Sequence, residues 1–143
     1  MKFSEVESSS WDELRPYLDT CLIPVTGLTG KEQPHEVTEA LERLRDILDL
    51  VEIPFKGRTI TYPSIQYGRE NIVEFINEIC HNVKSSGFKF VFLISADVNL
   101  LDLSLSNIDL VVTPQGFTGS ESSLSKTGIQ DKIQLIWQSG GVV

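Results

Sequence analysis

Histidine and cysteine are both scarce, at two of each in 143 residues. His35 and His81 stand far apart in the chain, too few for a histidine-rich metal site. Cys21 and Cys80 both fall in apolar runs and are too few for a disulfide framework, which fits reduced thiols in a cytoplasmic protein. Basic residues are also in the minority, 12 Lys and Arg against 20 Asp and Glu, for a net charge of -8. A field of that sign repels phosphate backbones and anionic lipid, so nucleic acid and membrane surfaces are not expected as partners. No apolar run approaches the ~18 residues of a membrane span, and Met1 to Glu5 carries charge rather than an apolar signal core. Neither export nor membrane insertion is expected. A G-x-S-x-G nucleophile elbow is missing, and no internal repeat occurs.

What is there points to one acidic, single-domain unit over residues 1–143, since the chain is 41% hydrophobic and too short for two ordinary cores. Its most telling stretch runs from Ile72 to Ser95. Ile72, Phe75, Ile76, Ile79, Cys80 and Val83 recur at helical spacing, Gly87 supplies a left-handed stop, and Phe88 to Ile94 form a nearly continuous apolar strand. A strand apolar on both sides needs cover on both faces, as in parallel sheets flanked by helices.

The remaining elements fit that frame. Ser10 with Glu13 reads as a capping box that opens a helix at Trp11, limited by Pro16. Thr20 to Thr26 is the first strand, with Pro24 marking an edge or a point where pairing stops. His35 to Glu52 is a strongly amphipathic helix with Val37, Ala40, Leu41, Leu44, Ile47, Leu48 and Val51 on one stripe. Val51 to Phe55 and Arg58 to Tyr62 are candidates for an edge hairpin around Lys56-Gly57, the second run also able to join the main sheet. Val98 to Asn107 has room for one or two helical turns, and Ile108 to Thr113 reads as a buried strand ended by Pro114. Gln115 to Gly128 reads as a mobile loop. Ile129, Ile133, Ile136 and Trp137 suit a last helix capped by Gly140, although Ile133, Leu135 and Trp137 would also line a strand. The fold class is a three-layer α/β sandwich of about four mainly parallel strands with helices on both faces.

Ligands in such folds bind beyond the carboxyl ends of the strands. Those ends fall at Thr26 to Lys31, Pro63 to Gly68, Ser95 to Asn99 and Thr113 to Phe117. The ligand-binding candidates there are Thr29, Lys31, Glu32, His35, Asp97 and Asn99. Gly27-Leu28-Thr29-Gly30-Lys31 has the flavour of a phosphate loop, but only two residues separate its glycines and Glu32 follows the lysine, so the Walker spacing fails. Glu32, His35 and Asp97 are the ligand set that a divalent metal would use. The competing reading of Glu32 and His35 is a solvated helix start, where acids are favoured by the helix dipole. Cys21 and Cys80 read as buried small hydrophobes, and Ser120, Ser122, Ser123 and Ser125 as loop composition.

Met1-Lys2-Phe3-Ser4 and Tyr17-Leu18-Asp19-Thr20-Cys21-Leu22-Ile23-Pro24-Val25 resemble the small YpiF-type family of unknown function from Gram-positive spore-forming bacteria. More distantly, Leu22 to Val25, Glu32-Gln33 with His35, Phe55 to Ile60, and Gly87-Phe88 before an apolar strand are similar in order to creatininase-type amidohydrolases. That resemblance implies an α/β fold with a two-metal site, built from a Glu-x-His-Gly element and an Asn-Gly-His-Gly-Gly-Asn element. Here Glu32 is followed by Gln33-Pro34-His35, and the later strand ends Ser95-Ala96-Asp97-Val98-Asn99 with no histidine or glycine, so most ligands of such a site are gone.

The expectation is therefore a cytoplasmic, non-catalytic binding or accessory module on a creatininase-like fold, with no cofactor and with a protein partner or a second copy as its target. Trp11 and Trp137 are candidate patch residues, although the core is the commoner place for tryptophan. The alternative is a divergent metal-dependent amidohydrolase with a remodelled site at Thr29, Lys31, Glu32, His35 and Asp97.

Overall fold

The computed structural model describes residues 1–118 and 124–140. Five strands form one sheet in the order β2-β1-β3-β4-β5: β1 (Thr20–Val25), β2 (Thr59–Thr61), β3 (Phe90–Ser95), β4 (Leu110–Thr113) and β5 (Gly116–Phe117). The first four are parallel, and β5 folds back antiparallel on β4. Helices α1 (Ser8–Leu14), α2 (Pro34–Glu52), α3 (Ile72–Ser85) and α4 (Lys126–Ser139) complete it.

The strands alternate between two cores, and that alternation makes the three layers. Cys21, Ile23, Val25, Val91 and Leu93 pack with Ile72, Ile76, Cys80 and Val83 of α3, with Trp11 and Leu14 of α1 against them. Leu22, Phe90, Phe92, Ile94 and Val112 face the other way, onto Leu44, Ile47, Leu48 and Val51 of α2 and Ile129, Ile133 and Ile136 of α4. Both faces are covered, so β1 and β3 are buried along their whole lengths. Gly87 ends α3 at φ +118, a conformation that L side chains rarely adopt, and turns the chain into β3.

Several expectations shift. The first helix opens at Ser8 with Glu7 before it, so Ser10 lies inside α1 and its expected capping box does not form; the Ser10 amide donates to the Glu7 carbonyl at 3.0 Å. The hairpin over Val51 to Tyr62 does not form: α2 ends at Glu52, where the expected helix ends, a turn follows, and the second run joins the main sheet as the short parallel strand β2, the alternative open to it. The apolar stripe of α2 continues through Val51, and packing that stripe on the sheet outweighs the local β preference of Val51 to Phe55. Pro24 lies on a central strand. Its carbonyl accepts from the Ile65 amide at 2.8 Å, which puts its missing donor on the β2 side, where the ladder has already stopped at Leu22 and Thr61. On the other side β1 pairs with β3 as far as Val25 and Ser95.

The range 115–128 carries β5 near its start and the first turn of α4 at its end, where the Ser125 hydroxyl accepts from the Gly128 amide at 3.1 Å. Residues 119–123, with Ser120, Ser122 and Ser123, lie outside the described residues. The last segment is a helix with Gly140 at its C-cap. Trp11 and Trp137 are both half-buried, Trp11 beside Phe88 and Trp137 between Phe55 and Phe92.

Candidate functional site

Chain connections from β1 and β3 run to opposite sides of the sheet, so the crevice beyond their carboxyl ends is where an open α/β sheet would take a ligand. Here the protein's own groups fill it. The Ser95 hydroxyl donates to the Val25 carbonyl at 2.6 Å and accepts from the Val98 amide at 3.1 Å, clamping the two strand exits together. Gly27, at φ +79, leaves no room for a Cβ, because Val98 Cγ2 occupies that position. The Arg69 guanidinium donates through Nε to the Gly27 carbonyl.

The glycine loop carries its own anion. The Glu32 carboxylate folds back to accept from the Thr29 amide at 2.8 and 2.9 Å, from the Thr29 hydroxyl, and from the Gly30 amide at 3.1 Å. Backbone and hydroxyl donors of Thr29, with the Gly30 amide, hold the Glu32 carboxyl below its ordinary range, outweighing a small desolvation cost. Amides that would wrap a phosphate are thereby already used.

Asp97 goes to the neighbouring layer. Arg43 of α2 grips it with two parallel bonds, Nε to Oδ1 and Nη2 to Oδ2, both 2.9 Å. Asn99 donates to Asp102 at 2.6 Å. Lys31 and His35 are exposed. Of the six sequence candidates, the structure bonds Thr29 to Glu32 and engages Asp97 and Asn99 elsewhere. Among the described residues no three His, Cys, Asp or Glu side chains come together as a metal cluster. His81 is exposed on α3, and Cys21 and Cys80 are buried free thiols, with burial pushing each up to about 12.

The open concave surface lies instead at the exit of β2. Tyr62, Pro63 and Ser64 form a ridge with a groove on each side. One groove, about 490 Å³, runs under α2 over Leu41, Leu44 and Leu48, with Lys2 and Arg45 as its charged lining. The other, about 500 Å³, runs beside α3 between Tyr67, Phe75 and Ile79 and has no charged lining. Tyr67 is 60% exposed, Phe75 48% and Leu41 42%. Leu41 and Phe75 were expected on core stripes. β2 ends after three residues, so the sheet stops short of them. The range Pro63 to Gly68 was a sequence-predicted strand end; the exposure of Leu41 and Phe75 had no sequence signal.

No helix among the described residues is long and apolar enough to cross a membrane. No curated protein and no solved structure matches the chain. Residues 9–134 match the family described as protein of unknown function (DUF2487), and with most of its length inside that match the chain belongs to this family.

Proposed function

We propose that this protein is a cytoplasmic, non-catalytic binding module, an accessory protein on a creatininase-like order of strands, that engages a protein partner through the Tyr62–Ser64 ridge. The observation that carries this reading is the pair of grooves at that ridge, open and apolar, with Tyr67 and Phe75 exposed on one side and Leu41 on the other. Apolar side chains of this size clustered on one face are what an interface presents. The polar candidates at the other strand ends support it in a second way, because Glu32, Asp97 and Asn99 each satisfy a neighbouring group of the fold. On this reading the protein needs no resident metal or other cofactor, and its charge of -8 disfavours nucleic acid and anionic membrane.

A photo-reactive phenylalanine analogue placed at position 67 tests this in the cells that make the protein. Position 17 is the control, since Tyr17 is 70% exposed but lies before β1, at the opposite end of the strands. Covalent protein adducts are expected from position 67 and not from position 17. No adduct from position 67 or from position 75 would overturn the reading. So would near-stoichiometric zinc or manganese in untagged, dialysed protein, which would favour the divergent amidohydrolase with Glu32, His35 and Asp97 as its ligands.

A further inference from the structure

We infer that residues 1–6 are a displaceable strap, and that the partner takes their place with an extended segment carrying a basic, an aromatic and a large apolar residue in that order. This rests on the binding-module reading above and names the partner's chemistry. The strap meets the β2 edge at one position, where Lys2 pairs in parallel with Thr61 and the Thr61 amide donates to the Met1 carbonyl at 2.7 Å. The Lys2 side chain turns to α2, and its Nζ donates to Glu52 at 2.7 Å. Phe3 turns the other way, edge-on to Tyr62 at 4.8 Å and tilted against Phe88 at 5.8 Å. From Phe3 to Glu5 the chain winds into a short 3-10 helix in which no residue is buried, and it leaves through Val6 in extended backbone.

The track along the edge is longer than the strap that lies on it. A strand that kept the register of Lys2 with Thr61 would set its next residues opposite Tyr62 and Pro63, with every second side chain directed to α2. The strap has already turned away there. What it leaves is the groove of about 490 Å³ floored by Leu41, Leu44 and Leu48, to which it contributes only the small polar Ser4 beyond Phe3. A second hollow of about 300 Å³ opens on the other side of Phe3, lined by Val6, Trp11 and Ile60. The edge is underfilled on both sides of Phe3, and strand alternation gives the order of a better occupant: a cation to Glu52, an aromatic ring on Tyr62 and Phe88, and a leucine-sized side chain over Leu41.

Glu52 makes the cation obligatory. Its carboxylate is largely covered, and both cations that face it, the Lys2 ammonium and the terminal amine, belong to the strap. A segment that displaced the strap without a positive charge would leave that carboxylate facing the Thr61 hydroxyl alone. Backbone pairing does less. Thr59 donates within the chain to the Phe55 carbonyl at 3.1 Å, and Pro63 has no amide, so Thr61 is the donor the edge gives and side chains set the specificity.

Fluorescence anisotropy and amide hydrogen exchange on the full chain test the proposal, with the peptide Met-Lys-Phe-Leu-Thr-Val, carrying fluorescein at its C-terminal end, as the probe. The strap is loosened by Lys2→Ala with Phe3→Ala, and by Lys2→Ala alone as a milder variant. The peptide is expected to bind the double variant about tenfold or more tighter than wild type, since the resident strap no longer competes, with the single variant in between. Glutamate in place of the peptide's lysine is expected to weaken binding by about tenfold or more. Exchange of the Thr61 amide speeds up in the double variant and slows again with bound peptide. The Tyr62 amide, bonded inward to the Leu22 carbonyl at 2.9 Å, stays protected throughout and shows that the sheet is folded. Equal binding by all three proteins, binding indifferent to the lysine, or binding that leaves Thr61 exchange unchanged overturns the proposal. No binding to any of them, with adducts of another protein from position 67, overturns the strap and leaves the binding-module reading standing. No binding and no adducts sinks both.

Discussion

The guanidinium of Arg58 lies over the indole of Trp137, 4.2 Å from the ring centroid, and the two side chains close a ring of contacts through the chain start of β1. Trp137 Nε1 donates to the Thr20 hydroxyl at 2.9 Å, Thr20 donates to Asp19 at 3.0 Å, and Asp19 receives Arg58 in two bonds of 2.9 and 3.1 Å. The ring joins α4, β1 and the entry to β2, three elements that share no local sequence. It also explains why Trp137 is absent from the ridge face, at the other end of the strands.

Removing Arg58 tests the ring. Arg58→Ala takes away a cation–π contact worth about 0.5–1 kcal/mol and a half-exposed bidentate ion pair of similar size, so a loss of about 1–2 kcal/mol is expected. Arg58→Lys keeps the charge but loses the planar fork, and should lose roughly half as much. Urea unfolding followed by tryptophan fluorescence measures both. Equal midpoints for Lys, Ala and wild type would show that the ring contributes nothing.

Acid should weaken the joint between Glu52 and the N-terminal segment. Glu52 accepts from Lys2 Nζ at 2.7 Å and from the Thr61 hydroxyl at 2.8 Å, with the terminal amine at 4.0 Å. Burial works to raise its carboxyl, but those hydrogen bonds and the two positive charges together hold it below the ordinary value of 4.5. A depressed folded value means that the unfolded chain takes up the proton more readily. The stabilisation is thus complete above pH 4.5 and is lost as pH falls through the lower folded value. Glu52→Gln is expected to cost about 1 kcal/mol at neutral pH and to lose less stability on acidification than wild type. Parallel pH profiles for the two proteins would refute this.

The parts of the fold that were legible are those where the hydrophobic pattern and the packing agree. Ile72 to Ser95 changes from helical spacing to an unbroken apolar run with Gly87 between them, and the structure follows it. At Val51 two readings overlap, the end of the α2 stripe and a β-rich run to Phe55; burial of Val51 keeps it in the helix, which ends at Glu52, and Ile53 to Phe55 form a turn rather than a strand. Leu41 and Phe75 were illegible for a different reason. Periodicity gives the angle of a side chain around its helix, but whether a strand extends beneath it depends on where β2 stops. Glu32 was placed correctly at a strand end, but the bonds that satisfy it come from Thr29 and Gly30 in the same loop, and their geometry depends on how the chain turns after Gly27.

Thr26 and Gly27, adjacent at the end of β1, should respond in opposite directions. The Thr26 hydroxyl is buried with no hydrogen-bond partner among the described residues, so Thr26→Val, which keeps the shape and removes the polar atom, is expected to be neutral or to stabilise by about 1 kcal/mol. A loss of more than about 1 kcal/mol in urea unfolding would mean that the hydroxyl is satisfied.

Gly27→Ala should instead be among the most damaging single changes in the chain. A Cβ at this position would overlap Val98 and approach Arg69 Nε to 3.2 Å, and φ +79 is strained for any L side chain. Overpacking of this kind costs about 1–3 kcal/mol, with about 1 kcal/mol more for the backbone. The double variant Gly27→Ala with Val98→Ala separates the two contributions. If the clash is the larger one, relieving it recovers more than half of the lost stability. Should the double variant be no better than Gly27→Ala alone, backbone conformation rather than the filled crevice would be what requires glycine at the end of β1.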